Sequence, residues 1–173
     1  MGFGNVGSGA YQVLEENAEA IALKAGSRLE VAKVADIDWG RPRAVDVPQD
    51  KRTTDARAVI ADPAIDIIVE TIGGTDPALD FVLSSLRAGK CVVTSNKELI
   101  AKHGREILEE ADARGLDICF EGAVGGGIPI VPDPGDTVMY RMVVQTPKIV
   151  CDTCTIDPEL ILENHWTTTV KKV

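Results

Sequence analysis

The sequence has few aromatic residues, only two histidines and no long hydrophobic run. Aromatic residues make up 4% of the 173 positions, while hydrophobic residues make up 45% and charged residues 26%. The last two fractions are ordinary for a globular protein, and the length suits one main domain with a core of its own. No stretch is apolar enough to be a membrane helix and none resembles a secretory signal, which predicts a cytoplasmic protein with no membrane partner.

Positive charge is also scarce, since 18 basic residues stand against 27 acidic ones and give a net charge of −9. An acidic surface argues against nonspecific binding to nucleic acid or to anionic lipid. It does not exclude an anionic cofactor, because the amides of a glycine loop bind phosphate locally.

The four cysteines give little sign of special chemistry. Cys91 and Cys119 fall in apolar, strand-like runs, where a free cysteine behaves as a small buried hydrophobe. Cys151 and Cys154 form a C-x-x-C pair, but a zinc site needs two further ligands and a thioredoxin-like site needs a helix start. We interpret this pair as incidental, with the zinc and redox sites as alternatives.

A glycine motif opens the chain. Gly2–Gly7 reads G-x-G-x-x-G and leads into a helical pattern over Val6–Ala25, which is typical of a dinucleotide-binding loop. The next strand, Leu29–Asp36, ends on an acid that could accept hydrogen bonds from ribose hydroxyls; a solvated strand-end carboxylate is the alternative. The motif follows Met1 directly, and we therefore expect the first strand of the sheet to be missing.

Strands and helices alternate along the following residues. The strands are predicted at Ile65–Thr71, Cys91–Thr94 and Leu116–Phe120, and the helices at Thr53–Ala61, Pro77–Ala88 and Lys97–Arg114. This alternation predicts an α/β fold with a Rossmann-type, doubly wound parallel sheet over residues 1–131. Residues 132–173 lack the pattern and are interpreted as a divergent, irregular β-containing tail of unknown role, one strand of which could take the place of the first strand.

Polar residues follow two of these strands at the edge where ligands bind in open α/β sheets. Thr71–Gly74 follows one strand and Ser95–Lys97 the next. Lys97 could donate a proton to a carbonyl oxygen, although an ordinary surface lysine at a helix start is the alternative. Further on, Glu121–Pro129 is dense in glycine and could surround a hard cation with oxygen atoms, or be a flexible loop.

Four stretches, taken together and in this order, resemble the nucleotide-binding half of the homoserine dehydrogenases. They are GFGNVGSG, IDIIVETIGGTDPA, LRAGKCVVTSNKELIAKHG and FEGAVGGGIPIV. The resemblance covers Gly2–Val131, and its specific parts are the AGKxVVTxNK and E-x-x-V-G-G-G-I-P patterns.

The resemblance implies an oxidoreductase that uses NADP or NAD to interconvert L-aspartate 4-semialdehyde and L-homoserine, in threonine and methionine biosynthesis. It implies that Lys97 acts near the reacting carbonyl and that Glu121, with backbone carbonyls of Val124, Gly126 and Ile128, holds a monovalent cation such as sodium. The cofactor contacts that it implies are Phe3, Gly4, Asn5, Val6, Gly7, Thr71, Ile72, Gly73, Ser95, Asn96 and Lys97.

This chain differs from the family pattern in two respects, which leave the cofactor preference and the function open. Family members often carry an arginine before the second-strand acid, where it can meet the phosphate of NADP; this chain has Ala35, with Arg41 or Arg43 as substitutes, so the cofactor preference is open. Nothing from Pro132 onward resembles the family's substrate domain. A non-catalytic nucleotide-binding remnant and another Rossmann oxidoreductase acting on a small aldehyde are the alternative functions, and a homo-oligomer is an alternative to a monomer.

Overall fold

The computed structural model describes residues 1–123, in which helices and parallel strands alternate. The strands are β1 (Val34–Ala35), β2 (Arg52–Thr53), β3 (Ile67–Glu70), β4 (Cys91–Thr94) and β5 (Ile118–Cys119). The helices are α1 (Asn5–Glu16), α2 (Ala18–Ala25), α3 (Ala56–Ala61), α4 (Ala78–Arg87) and α5 (Lys97–Arg114). Short 3-10 turns lie at Gln49–Lys51 and Glu121–Ala123.

The strands form two parallel groups, β1 with β2 and β3 with β4 and β5. Met1 and Gly2 lie between the groups. The backbone nitrogen of Met1 donates to the Val69 carbonyl at 2.6 Å, and its carbonyl accepts from the Thr71 N–H at 2.9 Å. On the other side, the Gly2 N–H donates to the Ala35 carbonyl at 2.9 Å.

These bonds give the order β2, β1, Met1–Gly2, β3, β4, β5. This is the strand order of the dinucleotide-binding doubly wound fold, with the first strand at the centre. The predicted fold class is confirmed, and Met1–Gly2 takes the central position between the two groups of strands. The predicted boundary at 131 and the tail strand lie outside the described residues and stay predictions.

The main core lies between the helices α3, α4 and α5 and the strands β3 and β4. Leu86, Leu99 and Ile107 are fully buried there against Ile68 and Val92. Each such side chain contributes roughly 1.5–3 kcal/mol through the area that it removes from water. This core fixes the positions of the loops that follow β3 and β4.

A second, smaller cluster lies beneath the glycine loop. The Phe3 ring meets Tyr11 edge-on, with centroids 5.7 Å apart at 85°, and lies 5.7 Å from Trp39. Val34 and Val47 complete the buried part of this cluster. The aromatic contacts hold the glycine loop against the connection between β1 and β2.

The predicted helix Val6–Ala25 is wrong in one respect, because it is two helices that meet at Asn17. Asn17 has φ −114° and ψ 22°, and its side-chain amide donates to the Val13 carbonyl at 3.0 Å. Asparagine competes for backbone hydrogen bonds in this way and weakens a helix interior. The strand predicted at Leu29–Asp36 is shorter than expected, since its ladder with β2 spans two residues.

The longest helix, α5, begins and ends at the predicted residues. Asn96 caps its start by accepting from the Leu99 N–H at 3.1 Å, and Gly115 ends it in the left-handed conformation at φ 63°. Three i,i+4 ion pairs lie along it. Among residues 1–123, no helix combines the length and the hydropathy that a membrane crossing would need.

Candidate functional site

The three glycines of the opening motif serve three different geometric needs. Gly2 has φ +85°, and a Cβ there would lie 2.9 Å from the Thr71 carbonyl group. A Cβ on Gly7 would lie 2.1 Å from the Gly2 oxygen, so α1 packs on the loop because this residue has no side chain. Around Gly4 no atom lies within 4 Å of the Cβ position. A turn, an open approach and a close helix contact are what a pyrophosphate-binding glycine loop requires.

The amino end of α1 faces the open approach at Gly4. Gly4 is the N-cap, and no acidic residue lies in the first turn. The N–H groups of that turn, including those of Asn5 and Val6, have no intrahelical partner, and they carry the positive end of the helix dipole. Ser8 is turned inward, where its hydroxyl donates to the Gly4 carbonyl at 2.8 Å. The arrangement suits a phosphate anion.

The segment after β3 lies against this loop. The Thr71 hydroxyl donates to the Gly2 carbonyl at 2.7 Å, and Ile72 Cα would lie 3.0 Å from a Cβ on Gly2. Gly73 follows with φ +85°. The structure thus brings the predicted contacts Thr71, Ile72 and Gly73 beside the predicted loop.

Glu70, which the sequence analysis did not single out, ties the ends of β3 and β4 together. Its side chain is 0% exposed. One carboxylate oxygen accepts from the Ile72 N–H at 2.6 Å and the other from the Thr94 hydroxyl at 2.6 Å. Thr94 in turn accepts from the Asn96 N–H at 3.0 Å. The signal in the sequence is an acid inside an otherwise apolar, β-branched run, where a charge is buried only with partners.

The segment after β4 reaches the same edge of the sheet. The Asn96 amide donates to the Gly74 carbonyl at 2.6 Å, which links the two loops. Lys97 is the first residue of α5 and is exposed. Ser95 contacts the next turn, because a Cβ on Gly122 would lie 3.2 Å from the Ser95 Cβ. The predicted contacts Ser95, Asn96 and Lys97 therefore stand at the carboxyl edge, as expected.

The acid at the end of β1 contacts the glycine loop directly. Asp36 accepts from the Phe3 N–H at 2.5 Å through one oxygen and from the Asp38 N–H at 2.8 Å through the other. Arg43 forms an ion pair with it at 3.3 Å. Asp36, the predicted ribose acceptor, therefore lies beside the glycine loop, and much of its hydrogen-bonding capacity is already used.

A cleft of about 400 Å³ opens between the glycine loop and the β1–β2 connection. Its lining consists of Phe3, Gly4, Asn5, Ser8, Gly9, Gln12, Asp36, Arg41, Pro42, Arg43 and Ala44. The predicted residues Phe3, Gly4, Asn5 and Asp36 meet here. Val6, although exposed, is not part of this lining, and Arg41 and Arg43 join the cleft.

The predicted cation site is described in part. Glu121 lies exposed in the 3-10 turn, while Val124, Gly126 and Ile128 lie outside the described residues, as do Cys151 and Cys154. Across residues 1–123, no group of three or more His, Cys, Asp and Glu side chains is placed to hold a metal ion. Burial, followed by the Asp117 carboxylate, raises the pKa of the Cys119 thiol. That thiol is therefore a poor nucleophile.

Fold and site together define a nucleotide-binding domain of the doubly wound class. Residues 2–121 match the family model for the "Homoserine dehydrogenase, NAD binding domain". The chain belongs to the homoserine dehydrogenase family, as the resemblance implied.

Relatives and solved structures agree with this family. The homoserine dehydrogenase of Bacillus subtilis (strain 168) is 39% identical over 131 residues, which are 76% of this chain and 30% of that protein. That of Pseudomonas aeruginosa is 46% identical over 131 residues, 75% of this chain and 30% of that protein. The chain spans about 30% of the length of these curated relatives.

Two crystal structures of homoserine dehydrogenases share the fold. The one from Thiobacillus denitrificans has a TM-score of 0.65 at 42% identity and covers 75% of this chain and 30% of that one. The one from S. aureus at pH 7.5 has a TM-score of 0.66 at 32% identity, with 71% and 32% covered. Both are similar to this chain in its nucleotide-binding part.

Proposed function

We propose that this chain supplies the nucleotide-binding part of an NAD(P)-dependent homoserine dehydrogenase. The reaction is hydride transfer between L-homoserine and L-aspartate 4-semialdehyde, in the cytoplasmic synthesis of threonine and methionine. The observation that carries the proposal is the glycine loop, whose Gly2, Gly4 and Gly7 geometry leaves an open approach at a helix start. The family match supports the substrate class.

The residues at the carboxyl edge of the sheet form two groups, one for each half of a dinucleotide. The amides of Gly4, Asn5 and Val6 would bind the pyrophosphate, with Phe3 and Gly7 shaping the loop around it. The cleft beside Asp36 would take the adenosine. Two segments linked by the hydrogen bond from Asn96 to Gly74 would border the nicotinamide: Thr71–Gly73 and Ser95–Lys97. When bound, the nicotinamide supplies the hydride chemistry, and the protein supplies orientation and polarisation.

Lys97 is the candidate catalytic residue. Its backbone is fixed by the Asn96 cap at the start of α5, while its side chain is exposed at the edge where the substrate carbonyl would lie. A lysine ammonium donates hydrogen bonds and carries a positive charge, so it would polarise the carbonyl and deliver a proton to its oxygen. Replacing it should lower turnover with little effect on cofactor binding.

A monovalent cation, sodium in the first instance, belongs to the same proposal. Glu121 and the carbonyls of Val124, Gly126 and Ile128 would be its ligands. The packing of Gly122 on Ser95 supports it, since the turn that carries Glu121 is fixed beside the β4 loop. Oxygen ligands of this kind suit hard cations.

The test is calorimetric titration of the full chain with NADPH and NADH, together with an assay of homoserine oxidation. Gly4→Asp places a carboxylate in the open approach without a clash, because no atom lies within 4 Å of that Cβ position. It should abolish binding and leave the fold intact. Ala20→Asp, an exposed position on α2, adds the same charge elsewhere and should bind normally.

The outcomes separate the candidate functions. Binding with turnover that Lys97→Ala removes supports the proposed reaction. Binding without turnover would favour a nucleotide-binding remnant, and turnover of other small aldehydes would favour another oxidoreductase. Equal binding by the wild type and Gly4→Asp would show that the glycine loop is not the cofactor site.

A further inference from the structure

Glu70 is a buried carboxylate to which the proposed chemistry gives no role. It is the last residue of β3 and is 0% exposed, so its side chain cannot contact a ligand. One of its oxygens accepts from the Ile72 N–H and the other from the Thr94 hydroxyl, both at 2.6 Å. A buried carboxylate is tolerated only where hydrogen bonds compensate the loss of water. The two donors are therefore held close to Glu70, and they belong to two different segments of the chain.

From Thr94 the hydrogen bonds continue into the segment after β4. Thr94 is itself buried, and its hydroxyl oxygen accepts from the Asn96 N–H at 3.0 Å. The Asn96 side chain then makes two bonds of its own. Its amide oxygen accepts from the Leu99 N–H at 3.1 Å, and its amide nitrogen donates to the Gly74 carbonyl at 2.6 Å. The start of α5 is therefore tied both to the end of β4 and to the segment after β3.

These hydrogen bonds form a closed ring between the two segments that are proposed to border the nicotinamide. The ring consists of Glu70, Thr94, Asn96, Gly74 and the backbone that leads from Gly74 back to Ile72. Hydrogen bonds in such a buried network strengthen one another, so the loss of one member weakens the rest. The relative position of the two segments therefore depends on the carboxylate of Glu70.

We infer that Glu70 is a positioning residue for the nicotinamide half of the site, and that it acts through the hydrogen-bonded ring rather than by contact with the cofactor. The glycine loop has other supports, since the Gly2 carbonyl accepts from the Thr71 hydroxyl and the Phe3 N–H donates to Asp36. The half of the site that would bind adenosine and pyrophosphate should therefore be independent of Glu70. The inference rests on the cofactor binding proposed above.

The experiment compares each dinucleotide with the fragment that lacks only the nicotinamide ring. Calorimetry of the full chain gives dissociation constants for NADH and ADP-ribose, and for NADPH and 2′-phospho-ADP-ribose. Glu70→Ala should weaken binding of the dinucleotides by about tenfold, which corresponds to about one lost hydrogen bond, and binding of the fragments by less than about twofold. Glu70→Gln should recover most of the loss, because the glutamine carbonyl can still accept from the Ile72 N–H.

Thr94→Val breaks the ring without changing Glu70, because valine has a similar shape and lacks the hydroxyl. It should also weaken binding of the dinucleotides and leave binding of the fragments unchanged. The losses from Glu70→Ala and Thr94→Val should not add in the double variant, since both interrupt the same network.

Two variants on α4 serve as matched controls. Ser85 is also buried, and its hydroxyl donates to the Phe81 carbonyl at the same 2.6 Å as the bond from Thr94 to Glu70. Ser85→Ala therefore removes a comparable hydrogen bond away from the two segments. Leu86→Ala removes a fully buried apolar side chain and controls for lower stability alone. Both variants should keep the wild-type ratio of dinucleotide to fragment dissociation constants.

Each outcome decides a different claim. Equal weakening of dinucleotide and fragment in Glu70→Ala, additive losses in the double variant, or a changed ratio in Leu86→Ala would overturn the inference and leave the proposed function standing. If Glu70→Ala does not fold, Thr94→Val decides, and a wild-type ratio in that variant would overturn the inference. Failure of the wild type to bind either dinucleotide would overturn the proposed function and the inference with it.

Discussion

Two glycines of α1 that stand two residues apart should respond to alanine in opposite directions. A Cβ at Gly7 would lie 2.1 Å from the Gly2 carbonyl oxygen and 2.8 Å from the Thr71 hydroxyl oxygen, and the nearer atom belongs to the backbone. Relief of that overlap requires α1 to move away from the glycine loop. Overpacking of this kind costs typically 1–3 kcal/mol, and contact with backbone places Gly7→Ala at about 2–3 kcal/mol of destabilisation.

Gly9 lies in the same helix, and apart from its chain neighbours and the helix's own backbone no atom lies within 4 Å of its Cβ position. Alanine there adds no clash and reduces the conformational entropy lost on folding. Gly9→Ala should therefore stabilise the protein by about 0.5–1 kcal/mol.

Urea denaturation followed by circular dichroism gives both values, provided that the slope of the transition is unchanged. A destabilising Gly7→Ala beside a stabilising Gly9→Ala supports the close packing of α1 on the loop. The reasoning is refuted if the two variants shift the midpoint in the same direction or if Gly7→Ala matches the wild type.

Three further predictions concern the core, the buried acid and the pH dependence. Glu70→Ala leaves the Ile72 N–H without its acceptor and should lower the free energy of unfolding by about 3–5 kcal/mol. Glu70→Gln should lower it clearly less, because the glutamine carbonyl can still accept. Equal losses for the two variants in urea unfolding would contradict the hydrogen-bond network around Glu70. Ile107→Ala, at a side chain with 0% exposure, should cost about 2–5 kcal/mol by thermal or urea unfolding. Hydrogen bonds from Arg114 and then Arg87 lower the pKa of Glu110 from 4.5. Because the pKa of Glu110 is lower in the folded than in the unfolded state, this carboxylate stabilises the protein above about pH 4.5, and the stabilisation is lost as the pH falls through the folded pKa. The free energy of unfolding of Glu110→Gln should therefore fall less on acidification than that of the wild type.

Local sequence patterns were enough to predict the helices and strands whose ends are marked by characteristic residues. α5 follows from an asparagine before it and a glycine after it, and both make the expected caps. β4 follows from the short β-branched run that ends at Thr94. The glycine motif is also recognisable locally from its spacing, although the close contact that excludes a Cβ at Gly2 is made with the distant Thr71.

Features that depend on partners distant in the chain could not be read in the same way. The length of β1 depends on its neighbours in the sheet, and residue preference within Leu29–Asp36 does not contain that information. Glu70 accepts from the Thr94 hydroxyl only when β3 and β4 are paired, because these two residues are 24 positions apart in the chain. The position of the Arg43 side chain depends on the aromatic rings of Phe3 and Trp39, which tertiary packing brings together.

The most direct test of the central claim locates the bound dinucleotide on the chain. Backbone amide chemical shifts of ¹⁵N-labelled full chain would be recorded as NADPH is added. Dinucleotide binding at the glycine loop predicts that the largest changes fall on Gly4–Gly7, Asp36 and Arg41, with the carboxyl end of α5 unaffected. Changes confined to other residues, or none at saturating NADPH, would contradict it.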